Sequence, residues 1–380
     1  MILRRARGYA PGAVATLPSE RPILAVGPDL KNTVTLLVDG QAFVSQHIGD
    51  LSHFEAFRAF RSVIADLVSM YEVAWDDLLV VHDSHPQYAS TGHALKLPAG
   101  QKCSVQHHRA HIASVLAERG EWKTRVVGVS FDGTGYGDDG SVWGGEIFVG
   151  SVEDGFERVA HLGSASLPGG DAAAQNPIQA AAGFLACIDV SPDLTRPPFS
   201  FPAHYGASLE LVRKNVRSFA TTSVGRLFDT AAALLGFTRP ISFEGQAAIW
   251  LEQLARRAVT ADSYPFPLVD DELDFRPLLN AVIRDRARGR DPAEIARAFQ
   301  CGISSGLRDA ALAICEAHSV DTIALSGGVF QNELLLGDFR ALIASEPLRI
   351  WTNHAVPPND GGISLGQAAL AAFGQFDKSR

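Results

Sequence analysis

The chain of 380 residues has no paired cysteines: Cys103, Cys187, Cys301 and Cys315 are scattered and none forms a CxxC motif. That speaks against a thiolate zinc site or a disulfide framework and fits free thiols in a reducing cytoplasm. No apolar run approaches the roughly 18 residues of a membrane span. The opening MILRRARGYAPG has no apolar core of the signal-peptide kind, so no membrane partner is expected. Positive charge is in deficit, with 33 Lys plus Arg against 42 Asp plus Glu and a net −9. A nucleic-acid partner, which needs a broad basic face, is therefore not expected. What remains, 46% hydrophobic and 20% charged, is the profile of a soluble globular chain with a sizeable core.

Two stretches share a layout. TVTLLVDGQAFVSQHIG, from Thr33, reads as strand, Asp-Gly turn, strand. RVVGVSFDGTGYGDDGSVWGGEIFVG, from Arg125, reads as strand, glycine-rich turn, strand. After the first come Leu51, Phe54, Phe57, Phe60, Ile64, Leu67 and Val68 at helical spacing, then the short apolar strand DDLLVVHD. The pattern predicts two α/β lobes, each opening with a hairpin, and a ligand held between them. Further on, Asp291, Pro292 and Glu294 give a helix start with a capping box. The proline-rich stretch at about 189–215 reads as an insertion or linker, and the C-terminal FDKSR as frayed.

Glycine loops follow apolar strands at SGG (326–328), DGG (360–362) and DGTGYG (132–137). Strand, glycine turn and helix is a geometry that receives phosphate oxygens on backbone N–H groups; any one such loop is more often a plain turn, but three together suggest a nucleotide phosphate chain clasped from both lobes. SVQHHRAHIAS sets His107, His108 and His111 within five positions. In a helix His107 and His111 point the same way and can grip one metal ion, while the plainer alternative is a polar helix end. Asp132 and Asp360, at the starts of two glycine loops, are either turn formers or carboxylate ligands beside a phosphate.

The stretches RRARGYAP, GPDLKNTV, SQHIGDL, HDSHPQY, VQHHRAH, DGTGYGDDGSVWGGEIF, LPGGDAA, GRLFDTAAALLG, FEGQAA, LSGGVFQN and NDGGISLGQAA run nearly end to end. In that order they resemble the C-terminal, Kae1-like domain of the HypF family, the carbamoyltransferase of nickel-iron hydrogenase maturation. The resemblance implies a two-lobed α/β fold of the actin, Hsp70 and sugar-kinase kind, with nucleotide and metal between the lobes. It implies a segment 1–22 leading in, lobe I over 23–123 and lobe II over 124–380. It places a divalent metal (iron, zinc or magnesium) on His107, His111, Asp132 and Asp360, with His108 a non-ligand neighbour. Ribose and adenine contacts fall on Asp229, Glu244 and Asn332, and phosphate contacts on Gly133, Gly135, Gly327 and Gly328.

The implied reaction passes a carbamoyl group from a carbamoyl-adenylate to a cysteine near the C-terminus of the partner HypE, on the way to the cyanide ligand of the hydrogenase iron. His107, His111 and Asp360 would be the catalytic set. ATP and carbamoyl phosphate are the ultimate donors. Full-length members also carry an acylphosphatase domain, zinc fingers and a YrdC-like domain that makes the adenylate. None of these matches here, so a natural short form or an excised domain is expected, served by a separate YrdC-like protein. The chain departs from the family after LPGGDAA, where it reads AQNPIQAA, which leaves Asp171 and the acceptor side less defined. The alternatives are a tRNA threonylcarbamoyl transferase of the Kae1 type and a nucleotide-dependent scaffold without catalysis.

Overall fold

The computed structural model describes residues 12–189, 192–259 and 262–378, so the RRARGYAP stretch lies outside the described residues. The first part of the chain forms β1 (Ala13–Thr16), β2 (Ile23–Ala25), β3 (Thr35–Val38), β4 (Gln41–Val44), α1 (Phe54–Met70), β5 (Leu79–Asp83), α2 (Ala89–Ala94), β6 (Gln101–Val105) and α3 (His107–Ala117). Next come β7 (Val126–Tyr136), β8 (Val142–Ser151), β9 (Gly155–Leu162), β10 (Ala165–Pro168), α4 (Asp171–Gln175), α5 (Pro177–Leu185), α6 (His204–Arg213), β11 (Ser218–Thr221), α7 (Val224–Leu235) and α8 (Gln246–Ala255). The last part holds β12 (Leu268–Val269), β13 (Glu272–Leu273), α9 (Phe275–Ala287), α10 (Pro292–His318), β14 (Thr322–Ser326), α11 (Glu333–Ile343), β15 (Arg349–Thr352), α12 (Ile363–Ala372) and β16 (Asp377–Lys378).

The layout shared by the two hairpin stretches is a repeat of topology. One sheet runs β1-β4-β3-β2-β5-β6-β16 and the other, along its main path, β12-β13-β9-β8-β7-β14-β15. In the first, β4, β3 and β2 form an antiparallel meander, and β5 and β6 then add in parallel. In the second, β9, β8 and β7 repeat the meander, and β14 and β15 repeat the parallel pair. Each parallel addition needs a helical crossover, so each lobe is a layered α/β unit. β1, inside the segment expected to lead in, pairs with β4 at the edge of the first sheet. β16 pairs with β6, so the end of the chain returns from the second lobe to the first.

Local chemistry explains most element ends. Asp39 and Gly40, both at positive φ (50° and 73°), turn β3 into β4 as a tight hairpin requires. α1 buries Phe60, Ile64, Leu67 and Val68, whereas Phe54 is 75% exposed at its first residue. Asp291 accepts the N–H of Ala293 (2.7 Å), but Glu294 pairs with Arg290 (3.3 Å) instead of completing the box. DGTGYG is not a loop: it lies within and just after β7, where the register against β8 breaks between Phe131 and Gly135, and the turn itself falls at 137–141. The proline-rich stretch is not a spacer either, because Leu194, Phe199 and Phe201 are buried in the second-lobe core. Apolar side chains in a polar-looking stretch decided that outcome.

α3 and α12, one following each parallel strand pair, pack on each other and join the lobes. Gly366 makes this approach feasible, since a Cβ there would lie 1.8 Å from the carbonyl oxygen of Ala110. Gly366→Ala is expected to destabilise the fold by about 1–3 kcal/mol or more through overpacking. Gly337→Ala, on the open face of α11 with nothing within 4 Å, should stabilise it by up to about 1 kcal/mol. Thermal or denaturant unfolding of the two variants checks the contrast. Equal effects would show that α3 and α12 are not in close contact.

Candidate metal and nucleotide site

α3 begins immediately after β6, and Gln106 caps it by accepting the N–H of Arg109 (2.9 Å). The first turns of the helix therefore present His107 and His111 on one face, with ring centroids 5.1 Å apart. Asp132 comes from β7 at the register break, and its Oδ1 accepts the N–H of Gly328 (2.9 Å). Asp360 opens the short turn into α12, where Asn359 accepts the N–H of Gly361 (3.0 Å). Elements from both lobes thus deliver these groups to one point.

Asp132 Oδ2 lies 3.4 Å from His107 Nε2 and 3.5 Å from His111 Nε2, and Asp360 Oδ1 lies 3.9 and 3.8 Å from the same atoms. One ligand atom from each of the four residues lies within 4.8 Å of all the others. Tetrahedral bonds of about 2.1 Å imply ligand separations of roughly 3.4 Å, so a small inward shift accommodates one ion. Both Nε2 atoms are buried and have no hydrogen-bond partner, although such atoms normally find one. Two imidazoles and two carboxylates suit a borderline divalent ion.

Asp83, which sequence reasoning missed, holds the arrangement in place. The last residue of β5, it is fully buried, and its Oδ2 lies 2.8 Å from His107 Nδ1. That contact leaves Nε2 to face the cluster, the usual carboxylate–histidine support of a metal ligand. The signal was the acid ending the apolar run LLVVHD, where a strand has no need of one. His108, by contrast, is held by Gln106 (3.1 Å from Nδ1) and faces Trp143. Gly135 packs against these rings: a Cβ would lie 2.5 Å from His108 and 2.7 Å from His107. A side chain at Gly135 would therefore displace the histidine rings.

The charges are in tension. Burial opposes the imidazolium of His107, but Asp83 and then Asp132 and Asp360 outweigh it and raise its pKa well above the ordinary value. Burial lowers that of His111. Burial also works against the Asp132 carboxylate, yet the two histidines beside it hold it well below the usual range. Asp360, buried beside Asp132, is pushed up to about 7. Without a cation the cluster therefore retains protons that a divalent ion must displace.

The expected nucleotide contacts are more dispersed. Asp229 is buried on α7 and pairs with Arg226 (3.0 Å), burial raising its pKa against the pull of that guanidinium. Arg226 itself went unnoticed in GRLFDT; it lies beside Gly133, which has open space otherwise. Glu244 reaches across from the loop before α8 to Lys31 of the first lobe. Asn332 caps α11 by accepting the N–H of Leu335 (3.0 Å) and donates to Gln300 (3.0 Å). Gly327, at φ 99°, passes so close to Phe131 that any Cβ would meet its carbonyl oxygen, and Gly328 offers its N–H to Asp132. The side chain of Asp171 lies outside the described residues. Burial raises the pKa of all four thiols, Cys103 to about 12 and Cys315 to about 11, so none is a ready thiolate.

One divalent ion per chain is expected, lost in His107→Ala and His111→Ala and retained in His108→Ala. Asp83→Asn should weaken it about 10- to 100-fold. Affinity should fall as pH drops through about 7, because Asp360 and His107 then hold the competing protons. Elemental analysis and metal titration between pH 6 and 8 measure this, and equal metal content in all variants would remove the site.

Comparison with known proteins agrees with this geometry. Residues 128–367 match the second subdomain of the carbamoyltransferase Kae1-like domain, and residues 18–118 match the HypF Kae1-like domain. Carbamoyltransferase HypF2 of Cupriavidus necator is 35% identical over 97% of this chain and 49% of its own length. A carbamoyltransferase HypF homolog of the same organism is 34% identical over 94% of both. The crystal structure of full-length HypF in the phosphate- and nucleotide-bound form superposes with a TM-score of 0.87 at 36% identity, covering 98% of this chain and 58% of that one. The chain thus spans about half the length of most of the curated relatives it matches. Among the described residues no helix is long and apolar enough to cross a membrane. By sequence and by fold, the chain belongs to the HypF carbamoyltransferase family and carries its Kae1-like domain.

Proposed function

We propose that this chain moves a carbamoyl group from carbamoyl-adenylate to the C-terminal cysteine of a HypE-type partner, for synthesis of the cyanide ligand of hydrogenase. The observation that carries the reading is the buried cluster of His107, His111, Asp132 and Asp360 between two lobes, with Gly328 tied directly to Asp132. A divalent ion held there supplies Lewis-acid polarisation of the mixed anhydride. The full-length relative in phosphate- and nucleotide-bound form supports nucleotide binding as part of this reading.

In the transfer, the acceptor sulfur forms a bond to the carbamoyl carbon, and the bond from that carbon to the phosphate oxygen breaks. The products are a thiocarbamate and AMP, and the negative charge passes from sulfur to phosphate. The chain need not supply a nucleophile, which agrees with its four raised thiol pKa values. Its own groups align donor and acceptor and exclude water. Asp83 fixes the orientation of His107, and Asp132 links the cluster to the glycine loop at 327–328.

Asp229→Asn and Glu244→Ala should each lower affinity for AMP about tenfold, as expected for loss of a hydrogen bond to a charged acceptor. Calorimetry checks this, and unchanged affinity in both would mean that neither residue meets the ribose. Mass analysis of a HypE-type partner incubated with this chain, ATP and carbamoyl phosphate should reveal one carbamoyl group on its C-terminal cysteine only when a YrdC-like protein is added. Carbamoylation of the partner that does not need this chain would contradict the assignment. Pyrophosphate release by this chain alone, abolished by His111→Ala, would place both half-reactions here.

A further inference from the structure

Lys31 stands where the lobes meet, beside the loop that carries Asp360. It lies in GPDLKNTV between β2 and β3, and its ammonium pairs with Glu244 from the opposite lobe. Its backbone is held at φ 48°, in the left-handed region that a non-glycine residue occupies only when its surroundings demand it. Those surroundings are specific. The Asn32 side-chain amide donates to the carbonyl of Val26 (2.8 Å), and Thr33 Oγ1 donates to the carbonyl of Gly361 (2.9 Å). The carbonyl of Lys31 itself lies 3.5 Å from the position of a Cβ on Gly361. The residue is thereby fixed beside the loop that carries Asp360.

A strained backbone is a poor way to obtain one surface ion pair. The Glu244 side chain is 51% exposed, and pairs of that kind contribute little stability. Asp360 and Asp132, together with Glu244, add to the negative potential at the ammonium, which outweighs the opposing effect of burial. A cation held beside the Asp360 loop has a use in the transfer proposed above, because the reaction delivers one negative charge to the nucleotide phosphate. A charge placed in advance where negative charge develops is worth most in such a site.

We infer that Lys31 contacts the substrate as the cation for the 5′-phosphate of the adenylate, exchanging Glu244 for that phosphate when the ribose takes the Glu244 carboxylate. The inference rests on the proposed ribose contact of Glu244. It adds a residue that the resemblance did not assign, and it gives the inter-lobe pair a role in recognising the leaving group.

The test compares AMP with adenosine by calorimetry, at matched metal content, on the unaltered chain and on Lys31→Ala, Glu244→Gln and the exchanged pair Lys31→Glu with Glu244→Lys. Lys31→Ala should weaken AMP about tenfold while adenosine binds as before or more tightly, since Glu244 is freed. The exchanged pair restores the link between lobes and should not restore AMP affinity. Equal effects on AMP and adenosine, no effect on AMP, or recovery of AMP binding in the exchanged pair would each reduce Lys31 to a latch and overturn the inference. If Glu244→Gln leaves both ligands unchanged while Lys31→Ala still separates them, the ribose assignment fails and the phosphate contact stands. Binding of neither ligand by the unaltered chain would overturn both.

Discussion

α3 and α12 cross so closely that the Ala110 carbonyl occupies the space a side chain at Gly366 would need. This contact sets the distance between the lobes. His107 and His111 sit on the first turns of one helix, and Asp360 on the turn that starts the other. A further shift of the two helices would separate imidazoles from carboxylate by more than metal coordination tolerates. Gly128 extends the same constraint, since a Cβ there would lie 2.6 Å from Ile112 on the opposite side of α3. The helix of histidines is thus clamped between β7 and α12 by positions that accept no side chain.

That placement has an energetic cost. Burying imidazole nitrogens without partners costs about 1–3 kcal/mol each, and two buried carboxylates repel one another. A divalent ion removes both penalties at once, so binding and folding are linked. Such an ion would lie next to Asp132, whose second oxygen holds the Gly328 N–H. Metal, glycine loop and inter-lobe packing form one connected arrangement, which suits a reaction in which the acyl donor must be held rigidly and kept from water.

Legibility in the sequence followed the range of the interactions. The Asp39-Gly40 turn, the apolar face of α1 and the strand before the histidines rest on local pattern, and the structure has them as read. His107 and His111 could be paired from helical spacing alone, whereas Asp132 and Asp360 read equally as turn formers until the family resemblance favoured the ligand reading. DGTGYG misled because most of it continues β7, where Gly135 packs against the histidine rings, and the turn begins only at Gly137. The Leu194–Phe201 stretch misled because its prolines outweighed its aromatic residues in the reading. Asp83, Arg226 and Lys31 were missed for one shared reason. Each acts through a partner far away in sequence or hidden on a helix, and a single charged residue in a motif does not announce its partner.

The most direct test of the account is anomalous diffraction from crystals of the chain loaded with one divalent metal. The account predicts a single strong peak between the lobes, about 2.0–2.2 Å from His107 Nε2, His111 Nε2, an oxygen of Asp132 and an oxygen of Asp360. A loaded ion found elsewhere, or bound without both histidines, would contradict it.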